Sequence, residues 1–393
     1  MSVAWEICPH FGDCGGCSYQ DMPYEEQLRM KAKAVRNALG GAEFSGVVVE
    51  DPLAPGPPLR YRNKMEFTFG PDGSLGLHRR GDFRSIIPLQ RCLLPSEDME
   101  TVLQRVSVWS REWGLSGYDK RAHRGLLRHL SVRSSADGDL LVSLFTSREE
   151  LDDVEERALG DLGNYLDGLP VRGLLWIVNP AKADAARTDE GRTEKLSGSP
   201  EIMDRLAGFD FKIGVDTFFQ INLRGAEKLI ELVRDFSWDP AGGGAFFDVF
   251  SGVGTFSLPL ARDFAPDPVV GIEIVTMAVE SARENARRNG LSNAHFLESD
   301  ARRGLPLAQD LWGVPGRVVL DPPRSGAGGK VMRKIGRTGA RKIVYVSCNP
   351  ESFAVDARQL MEFGYRIDSV VPVDMFPQTE HVECVVSLVL APG

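Results

Sequence analysis

One cysteine, Cys348, is distinguished by the segments on either side of it. The apolar run KIVYV leads into Ser-Cys-Asn-Pro, which places the thiol at the end of a predicted strand. Burial as an inert core residue is the commonest fate of a free cysteine. The end of an apolar strand is, however, where α/β enzymes hold their reactive side chains, so a nucleophilic thiolate is the competing interpretation.

Two acidic residues could work with such a thiolate. Asp321 opens the segment Asp-Pro-Pro-Arg after another apolar strand, and the prolines favour a rigid loop at the same edge of the sheet. Glu383 lies in HVECV and could act as a general base, although a solvated strand glutamate is the more ordinary interpretation. A thiolate that adds to C6 of an uncharged pyrimidine makes C5 nucleophilic, and a base must then remove the C5 proton.

A glycine-rich turn in the segment DVFSGVGTFS predicts a cofactor site. Gly252 and Gly254, followed by Thr255, let the backbone approach a ligand at a strand–helix junction. Glu273 ends the next predicted strand, where a carboxylate can accept hydrogen bonds from ribose hydroxyls, and Asp300 ends the third. A lone Gly-x-Gly is usually only a tight turn. The ordered acidic strand ends resemble those of class I methyltransferases, which bind S-adenosylmethionine.

Four other cysteines have the spacing of a metal site. Cys8, Cys14 and Cys17 crowd the start of the chain, and Cys92 follows far downstream. Four thiolates can hold a zinc ion or an iron–sulfur cluster, and the spacing does not choose between them. Cys384 falls outside this pattern, and we expect it to be a packed strand residue.

The elements that must position these residues form two parts with a boundary near residue 205. Short apolar runs such as MEFTF and LLVSLFT, separated by turn signals, predict a mixed antiparallel β domain with helices over residues 1–205. Strands alternate with helical segments over residues 206–393, which predicts a mostly parallel α/β sheet that ends in an antiparallel edge pair. A helix near residues 24–39 could dock on this second domain.

Composition excludes some classes of protein. The chain has 393 residues, of which 42% are hydrophobic and 26% charged, and this is typical of a globular protein. The sequence has neither an apolar run of the ~20 residues that a membrane span needs nor the pattern of a signal peptide, so we expect a cytoplasmic protein without membrane contact. We also expect a monomer.

The net charge of −9 argues against a generally basic surface, but a local basic groove is enough to bind nucleic acid. The segment KRAHRGLLRHLSVR contains no acidic residue, and it predicts a phosphate track or, equally, a solvated basic face. The bases of this segment are Lys120, Arg121, Arg124, Arg128 and Arg133.

Nearly the whole chain resembles the RNA (uracil-5-)-methyltransferases, the family of the 23S rRNA m5U and tRNA m5U54 enzymes. The matching segments, in family order, include CPHFGDCGGC, YRNKMEF, FFQIN, DVFSGVGTFSL, DPPRSG, SCNP and DMFPQTEHVE. This resemblance implies a class I (Rossmann-like) methyltransferase domain in which Cys348 is the nucleophile and Glu383 accepts the C5 proton. The expected cofactor contacts are Gln220, Phe250, Gly252, Gly254, Thr255, Glu273, Asp300 and Asp321.

The resemblance also bears on the metal and on the RNA. It implies a [4Fe-4S] cluster on Cys8, Cys14, Cys17 and Cys92, in preference to zinc. Bacterial tRNA m5U54 enzymes lack these cysteines, which favours 23S rRNA, and the extra N-terminal RNA-binding barrel of some relatives is expected to be absent. Thr255 departs from the family, because many members have asparagine there. A uridine that reaches a buried thiolate must be flipped out of its stack.

Three alternatives stay open. The substrate could be tRNA uridine 54. A metal-cluster RNA-binding protein without catalysis would retain residues 1–205 but would not require Cys348. An amino-methyltransferase that acts on a base would not require this cysteine either, and Arg324 stands where such enzymes have an aromatic residue.

Overall fold

The structure is a computed structural model that describes residues 7–181, 186, 188, 191–240 and 242–391. Its residues form two compact units. As far as the structure describes them, the first unit contains the chain up to Pro23, Pro57–Asp204 and Lys212–Asp216, and the second contains Tyr24–Gly56, Arg205–Phe211 and the chain from Thr217 onward.

Helices and strands alternate regularly over residues 223–361, and strands come in groups before that. The helices are α1 (Tyr24–Ala38), α2 (Glu97–Glu112), α3 (Asp153–Tyr165), α4 (Leu223–Ser237), α5 (Ser257–Asp263), α6 (Thr276–Arg288), α7 (Ala301–Trp312), α8 (Gly329–Thr338) and α9 (Pro350–Met361). The strands are β1 (Lys64–Phe69), β2 (Leu75–Arg79), β3 (Asp82–Pro88), β4 (Leu127–Ser134), β5 (Leu140–Thr146), β6 (Val171–Val178), β7 (Arg192–Gly198), β8 (Glu201–Leu206), β9 (Phe209–Gly214), β10 (Ala245–Val249), β11 (Val269–Glu273), β12 (Ala294–Glu298), β13 (Pro315–Leu320), β14 (Lys342–Ser347), β15 (Tyr365–Val373) and β16 (Glu383–Leu390).

The first unit is built on a mixed sheet in the order β3-β2-β1-β4-β5-β6-β7. Its pairs are antiparallel except for β5 and β6, which run parallel. Every residue of the central strands β4 and β5 is buried. Helices α2 and α3 supply apolar side chains to the core on one face, among them Trp109 and Leu162. The mixed β domain expected from the sequence is present.

The second unit is a doubly wound sheet in the order β12-β11-β10-β13-β14-β16-β15. The strands from β10 to β14 pair in parallel, because each is joined to the next by a helix. Strand β16 runs antiparallel between β14 and β15, which confirms the predicted antiparallel edge pair. Among the described residues, no helix combines the length and the apolar character needed to cross a bilayer.

Residues 24–56 belong to the second unit, whereas the boundary near residue 205 assigned them to the first. Helix α1 packs against α9 and β15. Val49 and Leu53 then form β-bridges to Val370 and Val373 on the outer side of β15. An edge strand presents unpaired backbone groups, and this segment covers part of that edge.

Candidate active site

The predicted cofactor turn lies between β10 and α5. Phe250, Gly252 and Gly254 have φ angles of 68°, 53° and 90°, a region that favours glycine. A Cβ added to Gly254 would lie 2.4 Å from Leu258 Cδ1, whereas at Gly252 it would meet no atom within 4 Å. The positive φ favours glycine at position 254, where a side chain would also displace Leu258, and the backbone at position 252 faces open space that a ligand could occupy.

Glu273 is fixed beside this turn at the end of β11. Its Oε2 accepts a hydrogen bond from the Gly252 amide at 3.0 Å. Its Oε1 accepts hydrogen bonds from the amides of Ile274 and Val275 at 2.8 and 2.9 Å. Among the described residues, Oε2 accepts a hydrogen bond only from Gly252 and has a further lone pair, so Glu273 can still accept a hydrogen bond from a ligand hydroxyl.

Asp300 has a structural role as the N-cap of α7. Its side chain accepts a hydrogen bond from the Arg302 amide at 2.8 Å and pairs with the Arg302 guanidinium. These hydrogen bonds from Arg302 lower the pKa of Asp300. The carboxylate therefore stays ionised at neutral pH.

A cavity of about 380 Å³ opens at the carboxyl edge of the sheet. Phe250, Ile272 and Ile274 give it apolar walls, and Asp300 is among its few charged lining residues. Concave, mostly apolar sites of this size are typical of small-molecule binding.

A buried acid behind the turn, Asp248, was not among the site residues predicted from the sequence. Asp248 is fully buried, and its Oδ2 accepts a hydrogen bond from Ser257 Oγ at 2.5 Å. Within the described residues, Asp248 Oδ1 and Ser251 Oγ have no hydrogen-bond partner. Burial raises the pKa of Asp248 to about 7. An aspartate inside the apolar strand AFFDV was the signal that could have identified it.

The nucleophile and base candidates meet where β14 ends and β16 begins. Ser347 and Cys384 are register partners on these antiparallel strands, so Cys348 and Glu383 come next to each other. Glu383 is 6% exposed, which excludes the interpretation as a solvated glutamate. Cys384 is fully buried, as expected for a packed strand residue.

Electrostatic repulsion couples these groups to Asp321. Burial, followed by the charges of Glu383 and Asp321, raises the pKa of the Cys348 thiol to about 11, and Arg324 opposes this increase. Burial and Asp321 together raise the pKa of Glu383. Burial, with a smaller contribution from Asp248, raises the pKa of Asp321 to about 7. A thiol and two carboxyl groups with raised pKa values are thus close enough to influence one another's ionisation.

The remaining predicted cofactor residues lie on two segments of the second unit. Thr255 is partly buried in the turn before α5. Gln220 is partly buried just before Asn222, whose side chain caps α4. Phe219 is buried against Phe211, whereas Phe218 is 74% exposed.

The four cysteines of the predicted metal site line one pocket of the first unit. Burial raises the pKa of Cys17 to about 11 and of Cys92 to about 12, and repulsion from the other thiols adds to both increases. Four thiols that line one pocket are donors of the kind that a metal ion or a cluster binds. Among the described residues, however, no three histidine, cysteine, aspartate or glutamate side chains have the compact arrangement of a metal site.

The predicted basic track is only partly on the surface. Arg128 and Arg133 are each 3% exposed, because they lie on the central strand β4. Arg128 donates a hydrogen bond to the carbonyl oxygen of Asn179 at 2.6 Å. Arg121 and Arg124, in the loop before β4, are exposed. The prediction that residues 120–133 form a phosphate track or a solvated basic face was therefore wrong for Arg128 and Arg133.

Known proteins are similar to this chain in sequence and in fold. A family model described as a methyltransferase domain matches residues 241–355. An uncharacterized RNA methyltransferase of Caldanaerobacter subterraneus subsp. tengcongensis is 40% identical over 96% of this chain and 83% of its own length. An uncharacterized RNA methyltransferase of Clostridium tetani is 37% identical over 97% of this chain and 83% of its own length.

A solved structure covers nearly the whole chain. It is the Pyrococcus abyssi tRNA (uracil-54, C5)-methyltransferase in complex with S-adenosyl-L-homocysteine. It is 29% identical with a TM-score of 0.77, and the match covers 96% of this chain and 86% of that chain.

The doubly wound sheet and its glycine-rich turn define a class I S-adenosylmethionine-dependent methyltransferase. More narrowly, the chain belongs to the RNA methyltransferases, and its resemblance to the RNA (uracil-5-)-methyltransferase family is confirmed.

Proposed function

We propose that this enzyme methylates C5 of a specific uridine in 23S rRNA, with Cys348 as the nucleophile and Glu383 as the base. The observation that carries the proposal is the adjacency of Cys348 and the buried Glu383, with Asp321 close to both. Methylation of an amine would need neither a thiol nucleophile nor a base that removes a proton from carbon. Methylation of C5 of uracil needs a thiol nucleophile and a base for the C5 proton.

The chain's own groups account for each bond that forms or breaks. The Cys348 thiolate adds to C6 of the uracil, and C5 becomes the nucleophile. S-adenosylmethionine, when bound, would supply the electrophilic methyl group, so that the C5–CH3 bond forms as the sulfonium S–CH3 bond breaks and S-adenosyl-L-homocysteine is the leaving group. The Glu383 carboxylate then takes the C5 proton, the C5–C6 double bond forms again, and the bond between C6 and Cys348 Sγ breaks.

The raised pKa values fit these proton transfers. With a pKa of about 11, Cys348 is mostly a thiol at neutral pH and must give up a proton before it attacks. Asp321, whose pKa is about 7, can accept that proton. The raised pKa of Glu383 makes it a stronger base than an exposed glutamate, which favours removal of the C5 proton.

The turn and the cavity fit S-adenosylmethionine. Glu273 would accept hydrogen bonds from the ribose hydroxyls, and the apolar walls formed by Phe250 and Ile272 would hold the adenine. The unpartnered Asp248 Oδ1 and Ser251 Oγ would provide polar contacts on the other side of the turn. Gln220, Thr255 and Asp321 complete the proposed contacts.

We propose a [4Fe-4S] cluster, with zinc as the alternative, on Cys8, Cys14, Cys17 and Cys92. What supports it is that the four thiols share one pocket and that the other three help to raise the pKa of Cys92. Binding of a metal would require them to ionise and draw closer together. The cluster would shape the first unit, and the methylation reaction needs no redox step.

The RNA substrate implies a phosphate-binding surface and a stacking partner. Arg121 and Arg124 would bind phosphates from their exposed loop. Phe218, whose side chain is exposed, would stack on a base near the flipped uridine. We place the enzyme in the cytoplasm as a monomer.

A tritium-release assay tests the proposed function. The purified enzyme is incubated with S-adenosylmethionine and RNA from a deletion strain that carries tritium at uridine C5. Methylation at C5 must release one tritium for each methyl group transferred, and 5-methyluridine must appear in digested 23S rRNA. Methyl transfer without tritium release would overturn the assignment to C5.

A second substrate is favoured by one observation. The similar solved structure is that of an enzyme that acts on tRNA uracil 54. In the same assay, 5-methyluridine in tRNA but not in 23S rRNA would establish this alternative and contradict the proposed rRNA target.

A further inference from the structure

One side of α1 is polar and yet buried. Tyr24, Gln27 and Lys31 are spaced at i, i+3 and i+7, so they lie on one helical face. Gln27 is 0% exposed and Lys31 is 1% exposed. A buried lysine is costly unless a charged partner and hydrogen bonds compensate for its lost hydration. This face therefore requires a specific polar partner.

The partner is the loop that connects β15 to β16. Lys31 Nζ donates hydrogen bonds to Asp374 Oδ1 at 2.6 Å and to the Phe376 carbonyl oxygen at 3.0 Å. Tyr24 Oη donates to the other carboxylate oxygen of Asp374 at 2.9 Å. Asp374 is 0% exposed. Lys31 and Asp374 thus form an ion pair that is closed off from solvent.

A second pair of contacts fixes the middle of the loop. Gln27 Nε2 donates a hydrogen bond to Gln378 Oε1 at 3.0 Å, and the backbone N–H of Gln378 donates one to Gln27 Oε1 at 3.1 Å. Gln378 has a φ of 69°, which is strained for a residue other than glycine. The reciprocal hydrogen bonds with α1 help to hold this conformation.

The loop begins and ends beside the proposed base. Asp374 directly follows Val373, and Val373 is the register partner of Glu383 across β15 and β16. A shift of the loop would therefore move the start of β16, where Glu383 lies. The polar side chains of α1 contact this loop, so they would affect the reaction through the position of Glu383.

We infer that Lys31, Gln27 and Asp374 are positioning residues that fix the loop 374–382 so that the Glu383 carboxylate meets the C5 proton. This inference rests on the proposed function. Helix α1 would then affect one step of the reaction, the removal of the C5 proton after methyl transfer. Addition of Cys348 and methyl transfer itself depend on groups outside the loop.

The test compares two products of the same reaction. Wild type, K31M and Y24F are mixed with tritium-labelled RNA and S-adenosylmethionine. Tritium release and denaturation-resistant protein–RNA adduct are then measured over time. A misplaced base leaves the methylated adduct waiting for proton removal. We expect K31M to release tritium at least about tenfold more slowly than wild type while adduct accumulates, and Y24F to show a smaller change of the same kind.

Controls separate positioning from loss of folding. K33M makes the same substitution on the exposed side of α1 and should behave like wild type. A purely structural defect would lower adduct formation and tritium release together and would leave their ratio unchanged. An unchanged ratio in both K31M and Y24F would overturn the positioning role.

The variant E383Q, measured in parallel, distinguishes the two proposals. If E383Q accumulates adduct and the α1 variants do not, the positioning role fails and the proposed function stands. If E383Q forms no adduct and turns over normally, the proposed function is contradicted, and the positioning role fails with it.

Discussion

Cys348 directly follows Ser347, and Glu383 directly precedes Cys384, the register partner of Ser347 on β16. The proposed nucleophile and base therefore lie side by side at one end of this antiparallel pair. Opposed residues of such a pair project to the same face of a sheet. A slip of one residue in this register would place the two side chains on opposite faces, so the proposed site depends on the pairing of β14 with β16.

Replacement of Cys348 by alanine should abolish methylation and adduct formation. Loss of a covalent nucleophile typically lowers turnover by roughly a thousandfold or more. The variant should still fold, because the side chain is only half-buried. The measurement is methyl transfer to RNA, with C384A as the matched control at the neighbouring buried cysteine. Retained turnover in C348A would eliminate the nucleophile assignment.

Turnover should rise with pH between about 6 and 9. Glu383 and Asp321 have raised pKa values, and the pKa of Cys348 is about 11, so low pH keeps proton acceptors and nucleophile protonated. The measurement is single-turnover methyl transfer at saturating cofactor. A rate that falls as pH rises over this range, in protein that remains folded, would contradict these proton assignments.

Replacement of Asp248 by asparagine should stabilise the cofactor-free protein at high pH. Burial raises the folded-state pKa of Asp248 from 3.8 to about 7, so the stability contributed by its protonated form is present below about pH 4 and lost as pH rises through 7. Each unit of pKa difference corresponds to about 1.4 kcal/mol, which gives an upper value of about 4 kcal/mol.

Unfolding by denaturant at several pH values measures this effect. The gain in the free energy of unfolding of D248N over wild type should be near zero at about pH 4 and largest near pH 8. D263N, at an aspartate on the neighbouring helix α5, is the control and should show little pH-dependent difference. An equal difference at both pH values would show that Asp248 is ionised throughout.

Anaerobically purified protein should contain about four iron and four sulfide per chain. The C92S variant should lose the metal and unfold at a lower temperature, because the four thiols would no longer be joined across the first unit. Metal analysis and thermal unfolding measure both effects. One zinc per chain without sulfide would contradict the cluster and establish zinc as the bound metal.

The sequence predicted those features that depend on local pattern. The apolar strands that alternate with amphipathic helices indicated the doubly wound sheet, and glycines at 252 and 254 indicated the turn that the backbone adopts. The apolar run before Cys348 placed this residue correctly at the end of β14.

Features that depend on distant contacts could not be predicted in this way. Burial of Glu383 follows from the pairing of β16 between two other strands, and burial of Arg128 and Arg133 follows from the central position of β4. Docking of a helix near residues 24–39 on the second domain was considered from the sequence, but its buried contact between Lys31 and Asp374 joins residues that are far apart along the chain. Local periodicity carries no information about such pairs.

The central claim is tested most directly by mass spectrometry of the E383Q variant after reaction with RNA and S-adenosylmethionine. The glutamine cannot accept the C5 proton, so a methylated RNA adduct should accumulate, survive denaturation and map to the peptide that contains Cys348. Normal turnover without an adduct, or an adduct attached to a different residue, would contradict the account.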